Sequence, residues 1–224
     1  MISSPPIMRL IALGLTAVAI ADGFAAQLGE RFVAGEILVS EVVGRLSLSS
    51  AGSDETPILA GTALRQGATL KTGNGSRATF AFSDGTIVKE RDDSEWSVDE
   101  FAVDPSALRP RSEPQVAGRS DVSRPTDELS VSRTKLRFNR GEIEVQVLPL
   151  DFSRGARFQV ETPAGIVSIR GTTFQLRLRP VGDDSTEFSV TVFEGMVVFF
   201  TKDGKAVEYV SPNRPYVVKI PRLP

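Results

Sequence analysis

The chain of 224 residues predicts an all-β fold of short antiparallel strands, and three observations carry that prediction. Apolar and polar residues alternate with a period of two through many short runs, which marks half-buried strands. Turn residues punctuate those runs roughly every ten residues, the spacing of sandwiches and barrels. Past the N-terminal segment, no run has helical periodicity.

Gln27 to Gly35 is a polar lead-in. Ile37 to Leu48 reads as one or two strands with Gly44 as a bend or bulge, Ala51 to Pro57 as a loop, and Ile58-Leu59 with Gly61 to Leu64 as a short strand and turn. Asn74-Gly75 suits a type I′ hairpin, since both residues tolerate positive φ. Ala78, Phe80 and Phe82 alternate after it, Asp84-Gly85 turns the chain, and Thr86 to Lys89 is the next strand. Trp96 and Val98 resume the alternation as far as Phe101. Asp104 to Ser132 then breaks the pattern. Rich in Pro, Ser, Arg and acidic residues, it is too poor in large apolar ones to offset its ordering entropy, so a disordered surface insertion is expected.

Alternation returns with Ile143, Val145 and Val147, after a turn at Asn139-Arg140-Gly141. The most informative stretch runs from Phe158 to Leu178. Phe158 and Val160 belong to one face, Thr162-Pro163-Ala164-Gly165 turns the chain, and Val167 and Ile169 continue on odd numbers. Phe174, Leu176 and Leu178 sit on even ones. A one-residue slip moves a strand's whole apolar set to the other face. A residue must therefore be absorbed between Ile169 and Phe174, and Gly171 is the place for a bulge or bend. Phe188, Val190 and Val192 alternate next, followed by a turn at Glu194-Gly195. Met196 to Phe200 is apolar on both faces, as expected of a central strand. Lys202 to Lys205 is a hairpin turn, and Val207 to Val210 and Tyr216 to Ile220 close the chain. The organisation expected is a signal peptide over 1–25, an N-terminal strand region over 26–57, a β domain over 58–210 holding the insertion at 104–132, and a C-terminal tail over 211–224.

Composition excludes several chemistries. The chain has no Cys and no His. Disulfides, thiolate metal sites, Ser-His-Asp catalysis and His-based zinc sites are therefore impossible within it. A formal net charge of −2 provides no field for nucleic acid. At the N-terminus, Arg9 followed by the apolar run Leu10 to Ala21 and the small-x-small sequence Gly23-Phe24-Ala25 reads as an export signal cleaved after Ala25. An uncleaved anchor or a buried helix are the alternatives. The run is short against the roughly twenty residues of a membrane-spanning helix. After cleavage the protein is not expected to be integral to a membrane.

Four blocks, in order, resemble the FecR domain family. They are Thr72-Gly73 with Ser76 to Phe80, Phe82 and Asp84-Gly85-Thr86; Leu136 to Val145 with Gly141-Glu142-Ile143; Phe158 to Gly165 with Val167 and Ile169-Arg170-Gly171-Thr172-Thr173-Phe174; and Val190-Thr191-Val192 with Glu194 to Val197. The resemblance implies a FecR-like, partly solenoid-like and sandwich-like domain outside the cytoplasmic membrane. It also implies signalling: in the best-known members this domain belongs to a membrane-spanning regulator of an alternative sigma factor. This chain has no internal spanning segment, so a stand-alone secreted FecR-domain protein is expected.

Each candidate site has a plainer reading beside it. Thr162, Pro163, Gly165, Arg170, Gly171, Thr172, Phe174, Glu194 and Gly195 form the motif, either a structural corner or a partner-binding surface. In the second case Arg170 would meet a carboxylate or phosphate. Arg170 paired with Glu194 is a specific version of the first. Asp183-Asp184 with Glu187, and Asp92-Asp93 with Glu95, are oxygen-rich enough for Ca²⁺ but read better as solvated turns, lacking EF-hand spacing. Glu142 and Glu144 share a strand face, as a catalytic carboxylate pair or as ordinary exposed positions. The arginines from Arg109 to Arg140 suit an anionic polymer, a partner protein or a solvated loop. Trp96 reads as core, with a sugar-binding platform as the alternative. The function expected is a non-enzymatic, cofactor-free binding module of the periplasm or cell envelope. It would signal through an envelope protein, or alternatively serve as a structural or carbohydrate-binding module.

Overall fold

A computed structural model describes residues 32–49, 55–107 and 129–222. The expected signal peptide, and residues 108–128 of the expected insertion, lie outside the described residues. Seventeen strands follow in chain order: β1 Val33–Ala34, β2 Ile37–Val43, β3 Leu46–Ser49, β4 Thr56–Pro57, β5 Ala63–Leu64, β6 Thr69–Thr72, β7 Arg77–Phe82, β8 Ile87–Glu90, β9 Glu95–Val103, β10 Ser132–Gln146, β11 Arg157–Thr162, β12 Gly165–Ile169, β13 Thr173–Val181, β14 Ser185–Glu194, β15 Val197–Thr201, β16 Val207–Val210 and β17 Tyr216–Pro221. Two short 3-10 turns, Pro105–Ala107 and Phe152–Arg154, are the only helical pieces among the described residues. The all-β reading holds.

The strands form two sheets that share β10. The first sheet runs β4-β3-β6-β9-β10-β11-β12-β15-β16, with β1 beside the C-terminal end of β9. The second runs β5-β2-β7-β8-β10-β13-β14-β17. Among the described residues no pairing joins the outer strands, so the sheets do not close into a barrel. Every strand pairing is antiparallel, as expected, except β10 with β11, which is parallel and makes the sheet mixed. That pair is made possible by the excursion Val147–Ala156, which carries the chain from the far end of β10 back to the level of its start.

Inward-facing residues fuse the two sheets around one core. Ile37, Phe80, Val88, Trp96, Leu136, Phe138, Ile143, Val145, Phe158, Val167, Phe174, Phe188 and Phe199 are all buried in it. Phe80 meets Trp96 edge-on with ring centroids 5.0 Å apart, a favourable aromatic geometry. The odd-to-even change is as expected: Val167 and Ile169 are buried on β12, and Phe174, Leu176 and Leu178 on β13.

The chain crosses between the sheets at two opposite rims. In the N-terminal half, β2–β3, β6–β7, β8–β9 and the bend in β10 after Arg140 stack along one rim. In the C-terminal half, β12–β13, β14–β15 and β16–β17 cross at the other. Sheet hydrogen bonding is interrupted wherever the chain crosses, and hydroxyl side chains fill the gaps, as buried backbone groups require. Ser76 Oγ accepts from Arg45 N at 2.9 Å, Thr72 Oγ1 accepts from Ser94 N at 3.1 Å, and Ser94 Oγ accepts from Glu142 N at 2.9 Å.

This arrangement corrects three expectations. Asn74-Gly75 is a corner rather than a hairpin, because β6 and β7 lie in different sheets. Asn139-Arg140-Gly141 is no turn between strands but a bend inside the single strand β10, with Gly141 at φ 87°. Met196 to Phe200 is central in pairing, as expected, with β15 between β12 and β16, but it is not buried on both faces, since Met196 and Phe200 are exposed. Two smaller differences accompany them: Thr56–Pro57 is a short strand, and only Ala63–Leu64 is strand in the stretch that follows. Tyr216–Pro221, within the stretch expected to be a tail, pairs along β14.

Candidate functional site

The motif residues fall at the two ends of β12: Arg170, Gly171, Thr172, Phe174, Glu194 and Gly195 gather at the second rim, and Thr162, Pro163 and Gly165 form the β11–β12 turn at the opposite end. Thr162 Oγ1 accepts from Ala164 N and Gly165 N at 3.2 and 3.1 Å, donates to Gly165 O at 2.9 Å, and so closes the β11–β12 turn around Pro163. Gly165 lies against β15, where a Cβ would stand 2.1 Å from Phe200 O. At the next corner Thr172 exchanges backbone hydrogen bonds with Val147, at 3.1 and 3.0 Å. Its hydroxyl donates to Met196 O at 3.0 Å. Gly171 has φ 93°, and a Cβ there would come within 2.5 Å of Pro149 Cα. Gly195, at φ 82°, faces Gly171 O, which a Cβ would approach to 2.7 Å. The two glycines and Thr172 therefore interlock the β12–β13 and β14–β15 corners. Phe174 is buried opposite Val145 and Val192.

Arg170 and Glu194 do not pair. Both are exposed, and the Arg170 guanidinium lies over the Phe152 ring, 5.0 Å from its centroid. The cross-strand register explains why: Thr173 pairs with Glu194, with a bulge after it, so Arg170 sits beyond the paired region on the far side of Gly171.

Of the other charged candidates, Asp92, Asp183 and Asp184 lie in exposed turns, and the rest meet cations in ion pairs. Glu142 accepts from Arg177 Nη2 at 2.6 Å and from Gln175 at 2.8 Å, while Glu144 meets Lys89 at 2.9 Å. Each carboxylate thus has its own cationic partner on a neighbouring strand. Glu187 pairs with Arg179 at 2.9 Å, Asp93 with Arg140 at 3.6 Å, and Glu95 with Lys71 at 3.6 Å. Arg137 joins Asp99 and Glu161, and Arg133 stacks over Phe32 at 4.1 Å. The remaining arginines of that run, Arg109 to Arg124, lie outside the described residues. Among the described residues no three carboxylates are placed to share a metal ion. Trp96 is fully buried, so it cannot be a sugar platform.

Sequence reasoning missed one site. Glu90 is a carboxylate 1% exposed, pointing into the core from β8. Its Oε1 lies 3.4 Å from Thr72 Oγ1, whose proton is committed to Arg91 O at 2.5 Å. Its Oε2 lies toward the Trp96 indole N–H, and neither atom completes a hydrogen bond of good geometry. Burial pushes the Glu90 carboxyl up to about 8, so at neutral pH the group is mainly the neutral acid. The available signal was the alternation itself, since Val88 and Glu90 share the inward face of β8.

Two open grooves lie at opposite margins. One, of about 630 Å³, is bordered by Gly35, Glu36, Leu64, Arg65, Ala81 and Phe101. The other, of about 620 Å³, opens between β15–β16 and β17 and is bordered by Ala164, Phe199, Lys202, Tyr216, Val218 and Arg222. The second is also bordered by Thr201 and Asp203, whose carboxylate accepts from Thr201 Oγ1 at 2.7 Å within the turn.

The family model described as "FecR protein" matches residues 68–198. Two crystal structures of a "putative anti-sigma factor" from Parabacteroides distasonis, at 2.50 and 1.65 Å resolution, are similar at 15% and 16% identity. Both have a TM-score of 0.43 and cover 68% of this chain and 59% of theirs, so the chain spans about three fifths of their length. No curated protein matches the sequence. The family match runs from β6 to the start of β15, including the buried acid and the interlocked glycines, and the chain belongs to the FecR family.

Proposed function

We propose that this protein is a non-enzymatic binding module of the cell envelope, exported to the periplasm or beyond, that takes part in signalling by engaging another protein. Membership of the FecR family is the observation that carries this reading. The distribution of side chains supports it. Many outer-face charges are committed to cross-strand pairs, among them Lys89 with Glu144, Arg137 with Asp99, Arg177 with Glu142 and Arg179 with Glu187. What remains available is surface: exposed apolar side chains and unpaired sheet edges, which are protein-docking features.

The test is crosslinking in intact cells with a photoreactive residue placed on the outer faces, read by mass spectrometry, beside fractionation of the envelope. Recovery of one envelope protein, with the chain itself in the periplasmic or external fraction, is the expected result. A cytoplasmic location, or crosslinks to glycan alone, would refute the proposal.

A further inference from the structure

The outer face of the first sheet changes character at β12. On β6, β9, β10 and β11 it is covered by ion pairs: Lys71 with Glu55 and Glu95, Arg137 with Asp99, Lys135 with Glu161, and Arg157 with Glu100. On β12, β15 and β16 the register places Ile166, Phe200 and Val207 side by side, and Val198 beside Tyr209. These face outward, with Ile166 39%, Phe200 40%, Val207 46% and Tyr209 62% exposed. The patch ends at β16, which pairs with β15 on one side and with nothing on the other among the described residues.

Cations stand at both ends of that free edge. Lys202 and Lys205 lie in the turn before β16, and Arg214 in the turn after it. Lys202 and Arg214 make no ion pair among the described residues, and Lys205 meets only Asp203, at 3.5 Å. Asp203 is itself occupied in the turn, accepting from Thr201 Oγ1 at 2.7 Å and Lys205 N at 3.1 Å. Glu208 is level with the buried Phe199 and so belongs to the inner face, near Tyr216.

We infer that β16 receives an extended segment of a partner protein as an added strand, one with alternating apolar residues and an acidic residue at each end. This rests on the proposal that the protein works by engaging another protein, and names the surface and the chemistry of the segment. The backbone of the β16 edge supplies the hydrogen bonds, Val207 and Tyr209 supply apolar neighbours on the outer face, and the flanking cations select the acidic ends. An anionic membrane fits less well, because unpaired strand backbone is not tolerated in hydrocarbon. A second copy also fits less well. Antiparallel pairing of β16 with itself brings Arg214 of one copy to Lys202 or Lys205 of the other, and like charges across a pair repel.

The probe is a fluorescein-labelled seven-residue peptide, Glu-Val-Thr-Val-Thr-Val-Asp with blocked ends. The same peptide with Lys at both ends, and one with a central Pro, serve as controls. Anisotropy is read on the whole protein, with hydrogen exchange on the β16 amides. The acidic peptide is expected to bind at least about tenfold tighter than the lysine peptide, to weaken with salt, and to protect β16 amides. The proline peptide should not bind. Tyr209→Lys should abolish binding, and Lys202→Glu with Arg214→Glu should reverse the preference between the acidic and lysine peptides. All three positions are exposed, and retention of the buried Trp96 fluorescence checks the fold. Equal binding of acidic and lysine peptides would overturn the inference, as would insensitivity to these substitutions. Binding to vesicles of anionic lipid that Tyr209→Lys removes, or a dimer in sedimentation that it dissociates, would overturn it too. An envelope protein crosslinked equally well to the Tyr209→Lys variant would leave the broader function standing while refuting this surface.

Discussion

Glu90→Gln is the substitution whose consequence is most sharply defined by the structure. Gln is isosteric with the neutral acid but cannot ionise. In the folded protein the Glu90 carboxyl is pushed up to about 8 by burial, against an ordinary value of 4.5. Between those values the folded state keeps a proton that the unfolded state has lost. Stability is therefore fully present below about pH 4.5 and declines as pH rises through about 8, with a limiting slope of ~1.4 kcal/mol per pH unit. Over that window the loss approaches ~5 kcal/mol, a large part of the ~5–15 kcal/mol that holds a typical domain.

The window is unusually clear of other groups. The chain has no His and no Cys, so no other side chain titrates there at its ordinary value. Glu55, Asp151 and Asp203 are held below the usual carboxylate range by hydrogen bonds from Lys71, Ser153 and Thr201, and act in more acidic solution. Lys71 and Tyr216 are pushed up, into more alkaline solution. Urea denaturation followed by Trp fluorescence between pH 5 and 9 should give a falling curve for the native protein and a nearly flat one for Glu90→Gln. Near pH 5 the variant should be equal or less stable by about 1 kcal/mol, because its amide must find new partners beside Thr72 and Trp96. By pH 9 it should be the more stable by several kcal/mol, so the curves cross. Parallel curves would refute the reasoning and mean that Glu90 is ionised in the folded protein.

Three further outcomes follow from the packing. Gly171→Ala should cost about 3 kcal/mol or more in chemical denaturation, from the left-handed backbone and the approach to Pro149, and its cost should not add to that of Gly195→Ala, since the two corners touch. Arg154→Ala should destabilise by about 2 kcal/mol, because Asp104 is only 3% exposed and meets Arg154 at 2.7 Å; Arg179→Ala, removing an exposed pair, should cost less than about 0.5 kcal/mol in the same assay. The lone Trp96, fully buried against Phe80, should emit in the blue when folded and shift to the red on unfolding; a red-shifted native spectrum would mean that the core is open there.

Period-two alternation was enough to read most strands, because each has one buried and one outer face. Phe158 to Leu178 was legible in detail: the parity change between Ile169 and Phe174 required an absorbed residue, and the backbone absorbs it at Gly171. What alternation cannot encode is which sheet a strand joins. Asn74-Gly75 has the residues of a tight hairpin, yet its flanking strands part into different sheets, since local turn chemistry is indifferent to the strands' distant partners. Asn139 to Gly141 resembled a turn for the same reason, although β10 passes through it unbroken. Met196 to Phe200 was misread because an apolar outer face looks, in sequence, like a buried one. Arg170 and Glu194 were matched by their places in the motif, whereas their separation depends on the bulge after Thr173. Glu90 escaped notice because a carboxylate in an alternating strand is ordinarily assigned to solvent.

The way the sheets are joined also determines which deletion can test the role of the expected insertion. Val103 and Ser132 are opposite each other on β9 and β10, so residues 108–128 leave and return at the end of one antiparallel pair. Removing 104–132 would do more than shorten that connection. It would delete Asp104, whose N–H donates to Val131 O at 2.9 Å and whose carboxylate accepts from Ser106 Oγ at 2.7 Å as well as from Arg154. It would also delete Ser130, whose carbonyl accepts from Asp151 N at 2.9 Å and whose N–H donates to Pro149 O at 2.7 Å, the contacts that seat the excursion leading into the parallel strand β11. Replacing 108–128 alone by a short Gly-Ser connection leaves every one of these contacts in place. Closing a shorter loop changes the unfolded chain's entropy by only about 1 kcal/mol. The stability of that variant should therefore remain within about 1 kcal/mol of the parent, and the 104–132 deletion should fall well below it. Equal loss in both would mean that residues 108–128 themselves contribute to the folded domain, and partner-binding experiments on either variant would then report unfolding rather than a lost contact.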